Sequence, residues 1–276
     1  MIYKPKKAYG GWLGLITALL VFGFTIWGIN FALDDSDRTL KILLLIPTYL
    51  FLIIYVYLIL GAFNLGYKIE KDALIIIWGL QRKRVSWEQF DEVIEVKGQA
   101  NFYPFISASW SGYMVGLFSA KGLGAIRMFA THTEEGFIYL KTQKGFLGIT
   151  PADQGFISVL LNKTGKSLKT VDMDKMSSDE KGESIKEDRF FNLYYKLNFI
   201  FLVIFAGYLG IFFPGSGAPK FIILLLVLAL ALFVFNVSNA KRIYQFSSQG
   251  AYMTMLVGLA VTGIFLILSV SGIAFK

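Results

Sequence analysis

Five long apolar stretches constrain this chain more than any motif does. They occupy residues 12–31, 42–65, 190–213, 221–237 and 251–275, and one polar block separates the second from the third. Each approaches the ~20 apolar residues that a helix rising about 1.5 Å per residue needs to cross ~30 Å of hydrocarbon. A helix buried in a globular domain seldom runs so far without a polar face, and 55% hydrophobic against 17% charged residues suits a lipid solvent. The expectation is an integral membrane protein with five transmembrane helices.

Lys4, Lys6 and Lys7 precede the first stretch as they would in a secretory signal. A signal core is shorter, about 7 to 15 residues, and ends in small residues, whereas this stretch runs on into Asn30, Phe31, Ala32 and Leu33. The two first stretches are therefore expected to form an uncleaved hairpin, with Asp34, Asp35, Ser36, Asp37 and Arg38 at its tip.

The formal net charge of +8 would suggest nucleic acid if it were concentrated in a soluble domain. It is not: residues 66–189 carry 17 Lys and Arg against 16 Asp and Glu. Nucleic-acid binding loses its electrostatic support. The surplus lies beside the helices, at Lys4, Lys6, Lys7, Lys196, Lys220, Lys241, Arg242 and Lys276. Basic flanks stay on the cytoplasmic side, so the N-terminus, the central block and residues 239–250 are assigned inside. The loops at Asp34 and Pro214 go outside, and alternation over five spans places Lys276 outside. The location expected is a bacterial cell membrane.

Absent cysteine removes disulfides, thiolate nucleophiles and Cys-based metal sites, and a single histidine, His132, removes a His-rich one. No metal and no cofactor is expected. The cores of the five stretches hold no Asp, Glu, Lys, Arg or His, which argues against ion-coupled transport. Asn30, Asn64, Asn198 and Asn236 lie toward helix ends, Gly10 with Gly14, Gly207 with Gly210 and Gly258 with Gly263 offer small packing surfaces, and Pro47 can kink the second helix.

Between these helices, short strand-like runs at 67–70, 73–78, 84–87, 125–131, 137–142 and 146–149 are separated by turn signals, which predicts an antiparallel meander. A closing helix is expected to start with Thr150 as N-cap, Pro151 in the first turn and Asp153 three residues after the cap, burying Phe156, Ile157, Leu160 and Leu161 before Gly165. Several strands capped by one C-terminal helix follow the pleckstrin-homology (PH) plan. Residues 166–189, charged and with no periodic apolar face, read as a flexible tether.

The same region resembles the bacterial PH-domain membrane proteins of uncharacterised function. The resemblance rests on Tyr67-x-Ile69-x-x-Asp72-x-Leu74, Gly79 with Arg82–Arg84, Ser111-Gly112-Tyr113 with Gly116, Arg127-x-x-Ala130-Thr131, and Ile149-Thr150-Pro151-Ala152-Asp153 leading to Phe156. It implies a cytoplasmic PH-like fold without known catalysis, and some relatives are associated with resistance to antimicrobial peptides. The fold class expected is thus an α-helical polytopic membrane protein (residues 1–65 and 190–276) with an inserted α+β PH-like domain, an antiparallel barrel or sandwich (66–165).

Two groups of residues are candidates for lipid or partner binding. Arg82, Lys83 and Arg84 form a basic turn, which reads either as a solvated hairpin end or as a contact for anionic headgroups. Residues 99–120 carry no charge and hold Phe102, Tyr103, Phe105, Trp110 and Tyr113; they read either as core plus one long hairpin or as an aromatic surface packed on helices or a partner. Serines 107, 109 and 111 have no histidine in their own segment, so no enzymatic activity is expected. The role expected is a membrane-anchored scaffold or regulator. Its partners would be the bilayer, a protein at the cytoplasmic face, or a second copy of the chain as a homo-oligomer. The competing role is an accessory subunit of a transporter or channel.

Overall fold

The structure, a computed structural model, describes residues 2–215 and 217–274. Among these described residues are five helices long and apolar enough to cross a membrane: α1 (Gly10–Ala32), α2 (Arg38–Asn64), α5 (Arg189–Phe212), α6 (Lys220–Tyr244) and α7 (Ser248–Ala274). Each takes up one of the expected stretches with ends shifted by a few residues; Leu65 and Phe213 fall just past α2 and α5, and Phe275 lies outside the described residues. The largest shift is in α6, which continues past Val237 to Tyr244 and turns much of the expected loop at 239–250 into helix. Lys241 and Arg242 favour this, because cations in a last helical turn meet its negative dipole end. Lys276, assigned outside by alternation, lies beyond the described residues.

The chain divides into two compact units, Met1–Ala18 with Ile53–Glu183, and Leu19–Leu52 with Ser184–Lys276. The first is a central β-sandwich with the adjoining ends of α1 and α2. Four antiparallel strands, β1 (Ile2–Tyr3), β2 (Gly66–Ile69), β3 (Ala73–Trp78) and β4 (Gln81–Ser86), form the smaller sheet. The larger holds β5 (Phe90–Lys97), β6 (Phe102–Trp110), β7 (Tyr113–Ala120), β8 (Gly124–Ala130), β9 (Phe137–Thr142), β10 (Gly145–Ile149) and β11 (Leu168–Asp172), in the order β11-β5-β9-β10-β8-β7-β6.

The larger sheet is not the simple antiparallel meander expected: β8 pairs with β10, and β5 with β11, in parallel. Its strand β5 escaped the pattern because Asp91, Glu92, Glu95 and Lys97 interrupt Phe90, Val93 and Val96, the residues that are buried. Between the sheets, Tyr67, Leu74, Ile76, Val85, Phe129, Leu140 and Ile149 form one core, and Phe156 and Leu160 of α3 (Gly155–Thr164) close it. The opposite face of the larger sheet carries a second core around Phe118, Ile126, Met128 and Tyr139.

Two expectations are corrected here. The closing helix begins at Gly155, not beside Thr150, because Thr150 is committed to the core: its N–H donates to Tyr67 Oη (3.1 Å), its hydroxyl accepts from the Thr131 N–H (2.9 Å) and its carbonyl accepts from the Lys6 N–H (2.8 Å). The N-cap position falls to Gln154, without a side-chain bond, and Asp153 just before it accepts the Gly155 N–H at 2.8 Å. Residues 166–189, read as a tether, supply β11, a short helix α4 (Ser178–Lys181) and the fully buried Met173, which packs in the second core. Lys169 and Lys141 bond Glu92 at 2.8 and 3.2 Å, fastening β11 and β9 to β5 and holding the Glu92 carboxyl below its usual range.

The second unit is helical. Phe205, Ile222, Leu225, Leu226 and Ala229 form one apolar cluster, and Ile29, Ala32, Leu33, Leu224 and Val227 another. Asp188 caps α5 through the Phe191 N–H (2.8 Å) and accepts the hydroxyls of Tyr244 (2.6 Å) and Tyr252, so one carboxylate ties the start of α5 to the end of α6 and the start of α7. Asn198 Nδ2 crosses to the carbonyl of Met255 at 3.0 Å. Asn236 lies against Gly258, where an added Cβ would meet its Nδ2 at 2.2 Å. Gly207 and Gly210, by contrast, face open space.

Candidate interaction surface

The ends of α1 and α2 within the first unit are joined to the sandwich by side chains that bond backbone. Asn64, the last residue of α2, receives the Gly79 N–H on Oδ1 and donates Nδ2 to the Gly79 carbonyl, both at 2.7 Å. Gly79 occupies the β3–β4 turn at φ +56°, a conformation that favours glycine, so the turn is shaped to present both of its polar groups to one amide. Trp110 Nε1 donates to the Gly10 carbonyl at 2.6 Å. Tyr113 Oη accepts from Trp78 Nε1 at 2.6 Å and donates to the Leu58 carbonyl at 3.0 Å.

Aromatic contacts fill the space around these bonds. Tyr57 meets Trp78 edge-on at 5.2 Å, Tyr55 stacks on Trp110 at 5.6 Å, and Trp110 lies 4.6 Å from Tyr113. Two glycines permit the approach. A Cβ on Gly61 would lie 2.1 Å from Trp78 Nε1, and one on Gly10 would lie 2.5 Å from the Gly112 carbonyl oxygen. Gly10 and Gly14, expected to pack helix on helix, therefore face the β6–β7 hairpin, with the Trp110 ring 3.0 Å from a Gly14 Cβ. Burial pushes the Tyr113 hydroxyl far above its usual pKa, so it stays protonated and remains the donor to Leu58.

The aromatic residues singled out between 99 and 120 thus part company. Trp110 and Tyr113 form the joint with the helix ends. Phe102 belongs to the second core, against Phe118 and Phe137 at 6.1 and 5.4 Å. Tyr103 is buried and donates to the Glu183 carbonyl at 2.6 Å, helping to fix the segment after β11. Phe105 is partly exposed, and its neighbour Ile106 is 81% exposed on β6, the edge strand of the larger sheet.

The basic residues do not act as one cluster either, because side chains alternate along a strand. Arg84 turns outward to Glu70 and Asp72 on the neighbouring arm. Arg82 donates to the carbonyls of Gly79 and Gln81 at 3.2 and 3.0 Å. Lys83 shares the face of Val85, toward the space between the sheets, where burial and the charge of Arg127 lower its pKa. A contiguous basic turn in the sequence becomes one ion-paired, one backbone-bonded and one inward cation. The residues that sequence reasoning missed are Asn64, Trp78, Tyr57 and Gly61; the local signal was a tryptophan directly before the turn glycine, Trp78-Gly79.

Residues 65–164 match the family model described as Bacterial PH domain. Over these residues the chain is similar to a bacterial PH domain. The two sheets extend beyond the matched residues, since β1 precedes them and β11 follows them. A search of the curated proteins and one of the solved structures found no match.

Proposed function

We propose that this chain is a polytopic membrane protein that acts by binding and not by catalysis, presenting its PH domain as a fixed recognition platform at the inner membrane surface. The five helices support insertion, since 23 to 27 residues at about 1.5 Å each reach the ~30 Å of a hydrocarbon core. The bonds from the first residue of α1 and the last of α2 to one sandwich support a topology with the N-terminus and the domain on the same side. The distribution of basic residues makes that side cytoplasmic.

The observation that carries the reading is the joint itself: Asn64, Trp110 and Tyr113 hold the domain on the helix ends by hydrogen bonds, so the domain is oriented and not merely tethered. Its recognition surface is the charge-free edge strand β6, whose Ile106 is strongly exposed, and a protein partner completes that edge. Immunity toward an envelope-active peptide is one form that such recognition takes. The test is a photo-crosslinking residue at Ile106 of the full-length protein in native membranes. A discrete protein adduct, competed away by excess unlabelled chain, is expected; adducts to lipid alone would overturn the reading.

A further inference from the structure

Residues 2–6 run along the sandwich before α1 begins, as an extended segment held from both sides. On one side β1 pairs antiparallel with β2, Ile2 opposite Lys68 and Tyr3 opposite Tyr67. On the other, the Lys6 N–H donates to the Thr150 carbonyl at 2.8 Å, the Ala152 N–H donates to the Lys4 carbonyl at 3.0 Å, and Pro5 is bridged to Pro151. The Thr131 hydroxyl donates to the Lys6 carbonyl at 2.8 Å. One side chain is sunk into the domain: Tyr3 is buried and its ring meets Phe156 edge-on at 5.1 Å, whereas Ile2 is 59% exposed. Lys6 reaches Glu135 at 3.4 Å.

The slot that holds this segment is built without it. Tyr67 Oη accepts the Thr150 N–H at 3.1 Å and donates to the Phe129 carbonyl at 2.7 Å, which ties the two walls to each other. The Thr131 N–H donates to the Thr150 hydroxyl at 2.9 Å. Tyr67 and Phe156, with rings 5.9 Å apart, are both fully buried. All of these residues fall within the matched stretch 65–164, and the occupant falls outside it. A terminal strand can simply cover a sheet edge. Coverage does not call for a second wall, yet here a ladder of two residues is supplemented by bonds to 150–152 and by one aromatic plug. Extended peptides are recognised in this way, main-chain bonds giving affinity and a pocket for a side chain giving specificity.

We infer that the slot between β2 and residues 150–152 is a peptide-binding site, and that residues 2–6 are its releasable internal occupant, displaced by an extended segment of a partner protein. The occupant's own contacts define the ligand class: an aromatic residue in the position of Tyr3 and a cation three residues later, where Lys6 meets Glu135. A competitor works against an occupant tethered to α1 at high effective concentration, so the strap sets a threshold and holds the site closed at rest. The site does not depend on recognition at β6, and Ile106 variants should leave it intact.

The experiment uses the full-length protein in neutral detergent. Binding of a fluorescent peptide of residues 2–8 is followed by anisotropy, and amide exchange at Lys6 and at the fully buried Leu140 is measured in parallel. Lys6 should be protected, yet exchange at least about tenfold faster than Leu140. Tyr3→Ala should speed Lys6 further and leave Leu140 slow. The peptide should bind Tyr3→Ala saturably and at least about tenfold more tightly than wild type, whose slot is occupied. Adding Thr131→Val should weaken that binding about fivefold through the lost hydrogen bond. A peptide with serine in place of the tyrosine should not bind, which separates the slot from a general attraction for lysines. Lys6→Pro, which removes the N–H donated to Thr150 and the cation but keeps Tyr3, is the opened variant if Leu140 loses protection in Tyr3→Ala. Lys6 as slow as Leu140, no saturable binding to an opened variant, or equal binding of the two peptides would overturn the inference.

Discussion

The two compact units are held together by different chemistry. In the first, helix ends meet a β-sandwich through Asn64, Trp78, Trp110 and Tyr113, each with a hydrogen bond to backbone or to another member of the group. In the second, helices meet helices mainly through Phe205, Ile222, Leu225, Val227 and their neighbours, with side-chain bonds at Asp188, from Asn198 to the Met255 carbonyl, from Tyr208 to the Ser269 carbonyl and between Lys220 and Asp34. The cause lies in the backbone. A helix satisfies its own interior amides, so helices pack mainly through apolar side chains, whereas a turn such as Gly79 takes its partner from a side chain. The joint is therefore a place of few, directional and individually important residues.

The largest break in this comparison comes from Trp110→Ala. It removes the ring between Tyr55 and Tyr113 and the hydrogen bond from the indole to the Gly10 carbonyl, and truncating a large aromatic costs about 3 kcal/mol or more. Chemical denaturation of the full-length protein should show that loss. A similarly sized truncation in the second unit, Phe205→Ala, should cost a comparable amount through packing alone, with no hydrogen bond involved. Next comes Asn64→Ala, which leaves the Gly79 N–H unmatched and its carbonyl with Arg82 alone, at about 1–3 kcal/mol. Asn64→Asp keeps the acceptor for the Gly79 N–H but sets a carboxylate against the Gly79 carbonyl, so it should rescue little.

Asp188→Asn sharpens the comparison from the other side. Burial alone would raise this carboxyl's pKa, but the hydroxyls of Tyr244 and Tyr252 and the Phe191 N–H outweigh it and hold it below the ordinary aspartate value. A group with a depressed folded pKa stabilises above its unfolded value of about 3.9 and loses that contribution as pH falls through the folded value. Asp188→Asn should therefore lower stability near neutrality and flatten its decline in acid below about pH 4. A parallel acid decline in wild type and variant would remove Asp188 from the account. The smallest effect belongs to Arg82→Ser with Arg84→Ser. Exposed ion pairs contribute little, so the melting temperature should be unchanged within error.

The helices were legible because apolar length is a one-dimensional signal, and so were β3, β8 and β9, whose runs are bounded by turn residues. What escaped has physical reasons. Strands β1 and β11 carry no strand pattern of their own, since Ile2–Tyr3 and Leu168–Asp172 take their conformation from the ladders of β2 and β5. Thr150 reads as an N-cap by type, yet Tyr67, Thr131 and Lys6 claim its polar groups from distant parts of the chain. Arg82, Lys83 and Arg84 read as one cluster, although the two-residue period of a strand already separates the outer pair from the middle one. Trp110 and Tyr113 stand out in sequence as aromatic residues, but the carbonyls they bond, those of Gly10 and Leu58, leave no trace there.

The most direct test of the joint is hydrogen exchange at one amide. Gly79 lies in a two-residue turn, where an unpartnered N–H exchanges rapidly, and its N–H donates to Asn64 Oδ1 at 2.7 Å. Measured in the full-length protein, the Gly79 amide should be protected, and Asn64→Ala should release it while the amide of Leu140 in the sandwich core stays slow. Fast exchange at Gly79 in the wild type, or protection indifferent to the loss of Asn64, would contradict a domain bonded to the helix ends.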